Sequence, residues 1–109
     1  MDPRCADVAD QLLLIEQALR GMGWWAEESP SAAALASQAP FCVDTLAFEE
    51  WLQWIFLPRM KAIVENDLEL PRASGIRAMA EEAYRGRLTE VSGLLEALGA
   101  FDRLIAGTN

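Results

Sequence analysis

The chain of 109 residues contains no histidine. That absence removes Ser-His-Asp and Cys-His nucleophile pairs, which need an imidazole as base, and it weakens any zinc site. Cysteine is almost as scarce: Cys5 and Cys42 are the only two, and neither belongs to a CxxC pair. One disulfide between them is formally open, but reduced thiols fit a cytosolic chain better. The N-terminus, MDPRCADVADQ, begins with charges and lacks the apolar core of a signal peptide, so the expected compartment is the cytoplasm. No apolar run approaches the ~18 residues that span a bilayer. A Gly-rich phosphate loop and basic-aromatic interleaving are missing too. These absences predict no cofactor, no metal site and no catalytic residue.

Positive charge is also short. Lys and Arg number 9 against 17 Asp and Glu, a formal charge of −8. The imbalance lies in one part of the chain: residues 1–69 carry 12 acids and 4 bases, whereas residues 70–109 carry 5 of each. Such a field repels phosphates, which argues against direct binding to DNA or RNA. An acidic face can still dock on a basic protein surface.

What is abundant is apolar residues, 52% of the chain, too many for a disordered segment. The length suits a single domain, residues 1–109, around one core. Cys5, Val8, Leu12, Ile15, Leu19 and Met22 recur at steps of three and four, which predicts a helix over 5–20 stopped by Gly21 and Gly23. Ser29 before Pro30 predicts the cap of a short helix over 30–37. The pair Trp24 and Trp25 precedes it and is expected to tie this segment to the core. A central helix is predicted from a cap at Asp44 or Thr45 to near Asn66. From 51 to 57 only Gln53 is polar, so the helix should be covered on more than one side. A third helix is predicted over 73–85, capped by Ser74, with Arg77–Glu81 and Glu81–Arg85 as outer pairs. The last is predicted over 88–106, with Gly93 and Gly99 either weakening it or permitting close helix contact. No alternating strand pattern is present. The fold class is therefore all-α: a compact antiparallel bundle of four main helices plus one short one. The apolar stripe of the last helix leaves a homodimer open.

WLQWIFLPRM, residues 51–60, is the most unusual stretch. Pro58 lacks an N–H, so a regular helix would lose the bond to the Trp54 carbonyl, and a kink is predicted near it. Two forms fit: one bent helix, favoured because the apolar period continues across it, or two helices meeting at Leu57–Pro58. Arg59 stands among Trp51, Trp54, Ile55, Phe56, Met60 and Ile63. Its structural reading is a snorkelling side chain that covers apolar surface or pairs with an acid such as Asp44. Its functional reading is an anion clamp with tryptophan walls. The candidate interaction or pocket residues are thus Trp51, Trp54, Arg59, Asp44, Trp24 and Trp25. The adjacent acids Glu27–Glu28, Glu49–Glu50 and Glu81–Glu82 point about 100° apart on a helix and read as solvated faces. Cys42 reads as a small buried apolar residue.

The segment PFCVDTLAFEEWLQWIFLPRM resembles the core motif of the YqcC-like family of small bacterial proteins, a domain of unknown function. The matching positions include Pro40, Phe41, Asp44, Thr45, Glu50, Trp51, Gln53, Trp54, Pro58 and Arg59. The resemblance fades after about residue 71. It implies a compact all-helical cytosolic protein and supplies no catalytic residues. Because the family's gene adjoins that of a tRNA pseudouridine synthase in some bacteria, it also implies a protein partner in tRNA modification. Two functions are open: a non-enzymatic protein-interaction or accessory module, or a small anionic-ligand binder using a Trp/Arg pocket.

Overall fold

The computed structural model describes residues 4–36, 46–71 and 74–106, and every regular element within them is helical. In chain order these are α1 (Cys5–Gly21), α2 (Ala32–Leu35), α3 (Phe48–Trp51), a π-helical turn (Leu52–Phe56), α4 (Leu57–Glu65), α5 (Ile76–Ala83) and α6 (Ser92–Ala106). α3, the π turn and α4 form one continuous central helix. With α1, α5 and α6 it makes four main helices, and α2 is the short fifth. The all-α class follows as predicted.

The apolar stripe of α1 is fully used: Cys5, Val8, Leu12, Ile15 and Leu19 are buried. α1 ends at the glycine signal read from the sequence. Gly23 adopts φ +74, the Trp24 N–H reaches Leu19 O at 2.9 Å, and the Gly23 N–H reaches Arg20 O at 3.0 Å. This pair of bonds closes the helix with a left-handed residue, for which glycine has no Cβ penalty. α1 and α6 run antiparallel, because Arg4 at the head of α1 donates to Leu104 O and Ile105 O near the end of α6, both at 3.0 Å. Leu94, Leu98, Phe101 and Ile105 of α6 are buried, so its stripe packs inward, and Phe101 meets Phe56 edge to face with centroids 5.1 Å apart.

The register break at Pro58 takes a specific form. The Leu57 N–H bonds to Leu52 O, five residues back, and Pro58 falls in the first turn of α4. One extra residue is absorbed just before the proline, so its missing N–H falls where the i→i−4 ladder is already interrupted and costs less than in a regular helix interior. α4 closes at Asn66, with Asp67 left-handed at φ 54.

The caps differ from several expectations. α2 is capped by Ser31, whose Oγ accepts from the Ala34 N–H at 3.1 Å, rather than by Ser29. The central helix starts at Phe48 after Ala47, whose N–H donates to Glu50 Oε1 at 2.8 Å. Asp44 and Thr45, the expected caps, and Cys42 lie outside the described residues. α5 begins at Ile76, not at 73, and Ser74 does not cap it. Asp102 of α6 does, through Ile76 N–H to Oδ1 at 3.1 Å and Arg77 N–H to Oδ2 at 3.0 Å. The Ser74 hydroxyl donates to the same carboxylate. α6 begins at Ser92 rather than 88, since the stretch before it closes turns such as Glu90 N–H to Arg87 O at 3.1 Å. Gly99 permits close contact, as a Cβ there would lie 3.0 Å from Arg77 Nη1, whereas Gly93 faces open space. Arg85 pairs with Glu82, three residues back, instead of Glu81.

Candidate functional site

The central helix divides the expected pocket residues between two grooves. Trp51 is buried among aromatics, with ring centroids 5.7 Å from Phe48 and 5.5 Å from Phe56. One edge of this cluster opens onto a groove of about 560 Å³ whose walls include Trp51, Phe56, Met60, Ile76 and Met79. Arg59 lines the same groove. Its side chain is exposed, and it enters no ion pair or hydrogen bond among the described residues. Among the described residues Arg59 is the only charged side chain on these walls, so they offer apolar surface and one guanidinium, and none of them is a base for proton transfer.

The second groove, about 470 Å³, lies on the other side of the central helix and is lined by Trp25, Trp54, Gln53, Arg20, Lys61 and Glu27 among others. Arg20 stacks over the Trp25 ring at 4.5 Å. Trp54 is half-buried, and its Nε1 is buried without a hydrogen-bond partner among the described residues. Gln53 is 5% exposed and holds Ala26 by two hydrogen bonds. It was visible in the sequence as the one polar residue in an apolar run. Trp24 joins neither groove: its ring lies 5.2 Å from Tyr84, with Arg87 above it at 5.4 Å. Asp44 is outside the described residues. The structure thus brings Trp51 to Arg59 and Trp25 to Trp54, and it keeps the two pairs apart.

A third groove, about 320 Å³, runs between α1 and α4 and is lined by Leu12, Leu13, Glu16, Lys61, Val64 and Glu65 among others. Glu16 accepts from Arg20 at 2.9 Å and from Lys61 at 3.2 Å. Desolvation raises its carboxyl pKa, but the hydrogen bonds from Arg20 and Lys61 and their charges outweigh it, and the net shift is downward. The sequence pointed to none of Arg20, Glu16 and Lys61 as a group, because Glu16 and Lys61 are far apart in the chain. Among the described residues, no three His, Cys, Asp or Glu side chains are placed to hold a metal ion. No helix there is long and apolar enough to cross a membrane.

Four main helices with a π turn just before Pro58 and Arg59 define a small all-helical domain. The solution NMR structure of YqcC from E. coli superposes with a TM-score of 0.84 at 30% identity, covering 96% of this chain and 90% of that one. Residues 7–104 match the family model DUF446, described as tRNA pseudouridine synthase C. The chain belongs to this YqcC-like family. An uncharacterised protein of Haemophilus influenzae is 38% identical over 86 residues, 79% of this chain and 80% of that protein. The uncharacterised protein YqcC of Escherichia coli K12 is 32% identical over 96 residues, 88% of each chain. A tRNA pseudouridine synthase C of Pectobacterium carotovorum subsp. carotovorum is 41% identical over 80 residues, but the match spans only 21% of that protein.

Proposed function

We propose that this chain is a non-enzymatic protein-interaction module that accompanies tRNA pseudouridine modification in the bacterial cytoplasm. The observation that carries the reading is the Pectobacterium relative: a segment like this chain occupies 21% of a protein named tRNA pseudouridine synthase C. The greater part of that protein is left to perform the named chemistry. Joining a module to an enzyme in one chain raises the effective concentration of each for the other, which serves a domain whose task is to touch that enzyme. The charge of −8 supports the same reading. It disfavours tRNA as the direct target, whereas an enzyme surface that grips phosphates is basic and complements an acidic module.

The test is a titration of the purified chain with the tRNA pseudouridine synthase of its own host, followed by sedimentation and calorimetry. A stoichiometric complex that weakens with salt is expected. No complex at low salt would sink the reading.

A second reading has its own observation: Arg59 stands exposed, without an ion pair among the described residues, on a groove walled by Trp51, Phe56 and Met60. It makes the chain a binder of a small carboxylate or phosphate. Under this reading a small anion raises the melting temperature of the wild type and leaves that of Arg59→Ala unchanged. If no anion shifts the wild type, this second function is excluded.

A further inference from the structure

We propose that the Trp51–Arg59 groove binds a monocarboxylate carrying an apolar tail, with Arg59 on the carboxylate and the tail along Trp51, Phe56 and Met79. The proposal rests on the second reading above, the anion binder. It goes beyond that reading by setting phosphate aside and naming the rest of the ligand.

The head group follows from the donors. Arg59 is exposed and enters no ion pair or hydrogen bond among the described residues. A guanidinium pairs with a carboxylate through two parallel N–H bonds. The start of α5 also lines the groove, through Ser74, Gly75 and Ile76, and a helix start ordinarily favours phosphate. Here that end is already taken. Asp102 accepts from the Ile76 N–H, the Arg77 N–H and the Ser74 hydroxyl. Its carboxylate adds negative charge beside the groove, in a chain of net charge −8. A single guanidinium next to a fixed carboxylate suits a monoanion better than a phosphate dianion. The Trp25–Trp54 groove is a poorer anion site. Its cations Arg20 and Lys61 are both held by Glu16, and Glu27 stands exposed on its wall.

The tail follows from the walls. Trp51, Phe56, Met60, Ile76 and Phe101 line the groove and are all buried members of the core. Phe56 packs between Trp51 and Phe101, with ring centroids 5.5 and 5.1 Å away. The floor is therefore fixed by packing before any ligand arrives, and binding orders few side chains. Met79 is the exception at 37% exposed, a flexible thioether that can fold against a chain. The volume of about 560 Å³ is far more than a carboxylate fills, and it lies within the ~300–1,000 Å³ of small-molecule sites. A bare anion would leave most of these walls against water, whereas an apolar tail covers them.

The experiment is calorimetric titration of the full chain with acetate, butyrate, hexanoate and octanoate, and with 1-octanol and inorganic phosphate for comparison. Affinity should rise about two- to fourfold per added methylene from butyrate to octanoate. Arg59→Ala should weaken octanoate at least about tenfold and leave 1-octanol unchanged. Met79→Ser should weaken octanoate and 1-octanol alike. Both positions are exposed, and an unchanged melting temperature of the free chain checks that each variant folds. The chain-length series needs no variant at all. If acetate or phosphate binds the wild type as tightly as octanoate and loses that binding in Arg59→Ala, the tail is wrong and the anion reading stands. If octanoate binds Arg59→Ala as tightly as the wild type, or no anion binds the wild type, both fall.

Discussion

Gln53 holds Ala26 by both ends of its backbone. The Ala26 N–H donates to Gln53 Oε1 at 2.8 Å, and Gln53 Nε2 donates to Ala26 O at 2.6 Å. The glutamine sits in the π turn of the central helix, and Ala26 follows Trp24 and Trp25. A side-chain amide has the same donor and acceptor pattern as a peptide, so it pairs with the turn as a neighbouring strand would. The clamp fixes the Trp24–Trp25 turn to the central helix and sets one wall of the Trp25–Trp54 groove.

Gln53→Leu keeps the volume and removes both partners of Ala26. Each stranded backbone group costs about 1–3 kcal/mol when water cannot reach it, so a total loss of about 2–6 kcal/mol is expected. Urea denaturation monitored by helical circular dichroism reads it as a lower midpoint at unchanged slope. An unchanged midpoint would mean that the turn is held by its tryptophans alone.

Asp102 is the tertiary cap of α5, accepting from Ile76 and Arg77. Asp102→Ala should destabilise the chain by about 1–2 kcal/mol, the usual loss of an N-cap acceptor. Asp102→Asn keeps one carbonyl oxygen for these N–H groups and should lose less. Equal losses in the two variants would show that charge at the helix start, not hydrogen bonding, is what Asp102 contributes.

Helix positions were legible in the sequence where a periodic stripe met a local stop, as in α1 with Gly23 and the central helix with Asn66. The cap of α5 was not, because its acceptor comes from a helix 26 residues further on and Ser74 gave a plausible local substitute. The split of the tryptophans into two grooves was also hidden. Helical spacing assumes one constant turn, and the π turn over Leu52–Phe56 changes the direction of every side chain on one side of it relative to the other. Arg59 was read among apolar neighbours in sequence, but neighbours along a helix face different ways, and the structure leaves it exposed.

Pro58 supplies a test of that π turn. In a regular α-helix interior, proline costs about 3 kcal/mol relative to alanine. At Pro58 the i→i−4 ladder is already interrupted by the π turn, whose last bond runs from Leu57 N–H to Leu52 O. Pro58→Ala should therefore change stability by less than about 1 kcal/mol. A gain near 3 kcal/mol in chemical denaturation would mean that the wild-type helix carries the full strain of an interior proline, and that the π turn does not relieve it.

Tyr84 gives the chain an internal pH probe, since it is the only tyrosine. It is 4% exposed, and its hydroxyl donates to Glu49 Oε2 at 2.9 Å. Burial first, and then the hydrogen bond and charge of Glu49, raise the phenol far above its ordinary value near 10; Arg87 opposes them more weakly. The sign of the linkage follows from the raised value. Below the unfolded pKa both states hold the proton, and the contribution is fully present. Above it the unfolded chain has lost a proton that the folded chain keeps, so stability falls as pH rises past about 10. Phenolate absorbance of the folded chain should stay flat through that pH and appear only with the loss of helical signal. Tyr84→Phe should lose about 1 kcal/mol at neutral pH, from the missing hydrogen bond, and should show a shallower decline above pH 10 than the wild type. A phenolate that titrates near its ordinary value while the helices remain intact would show that the ring is not held against Glu49 in solution.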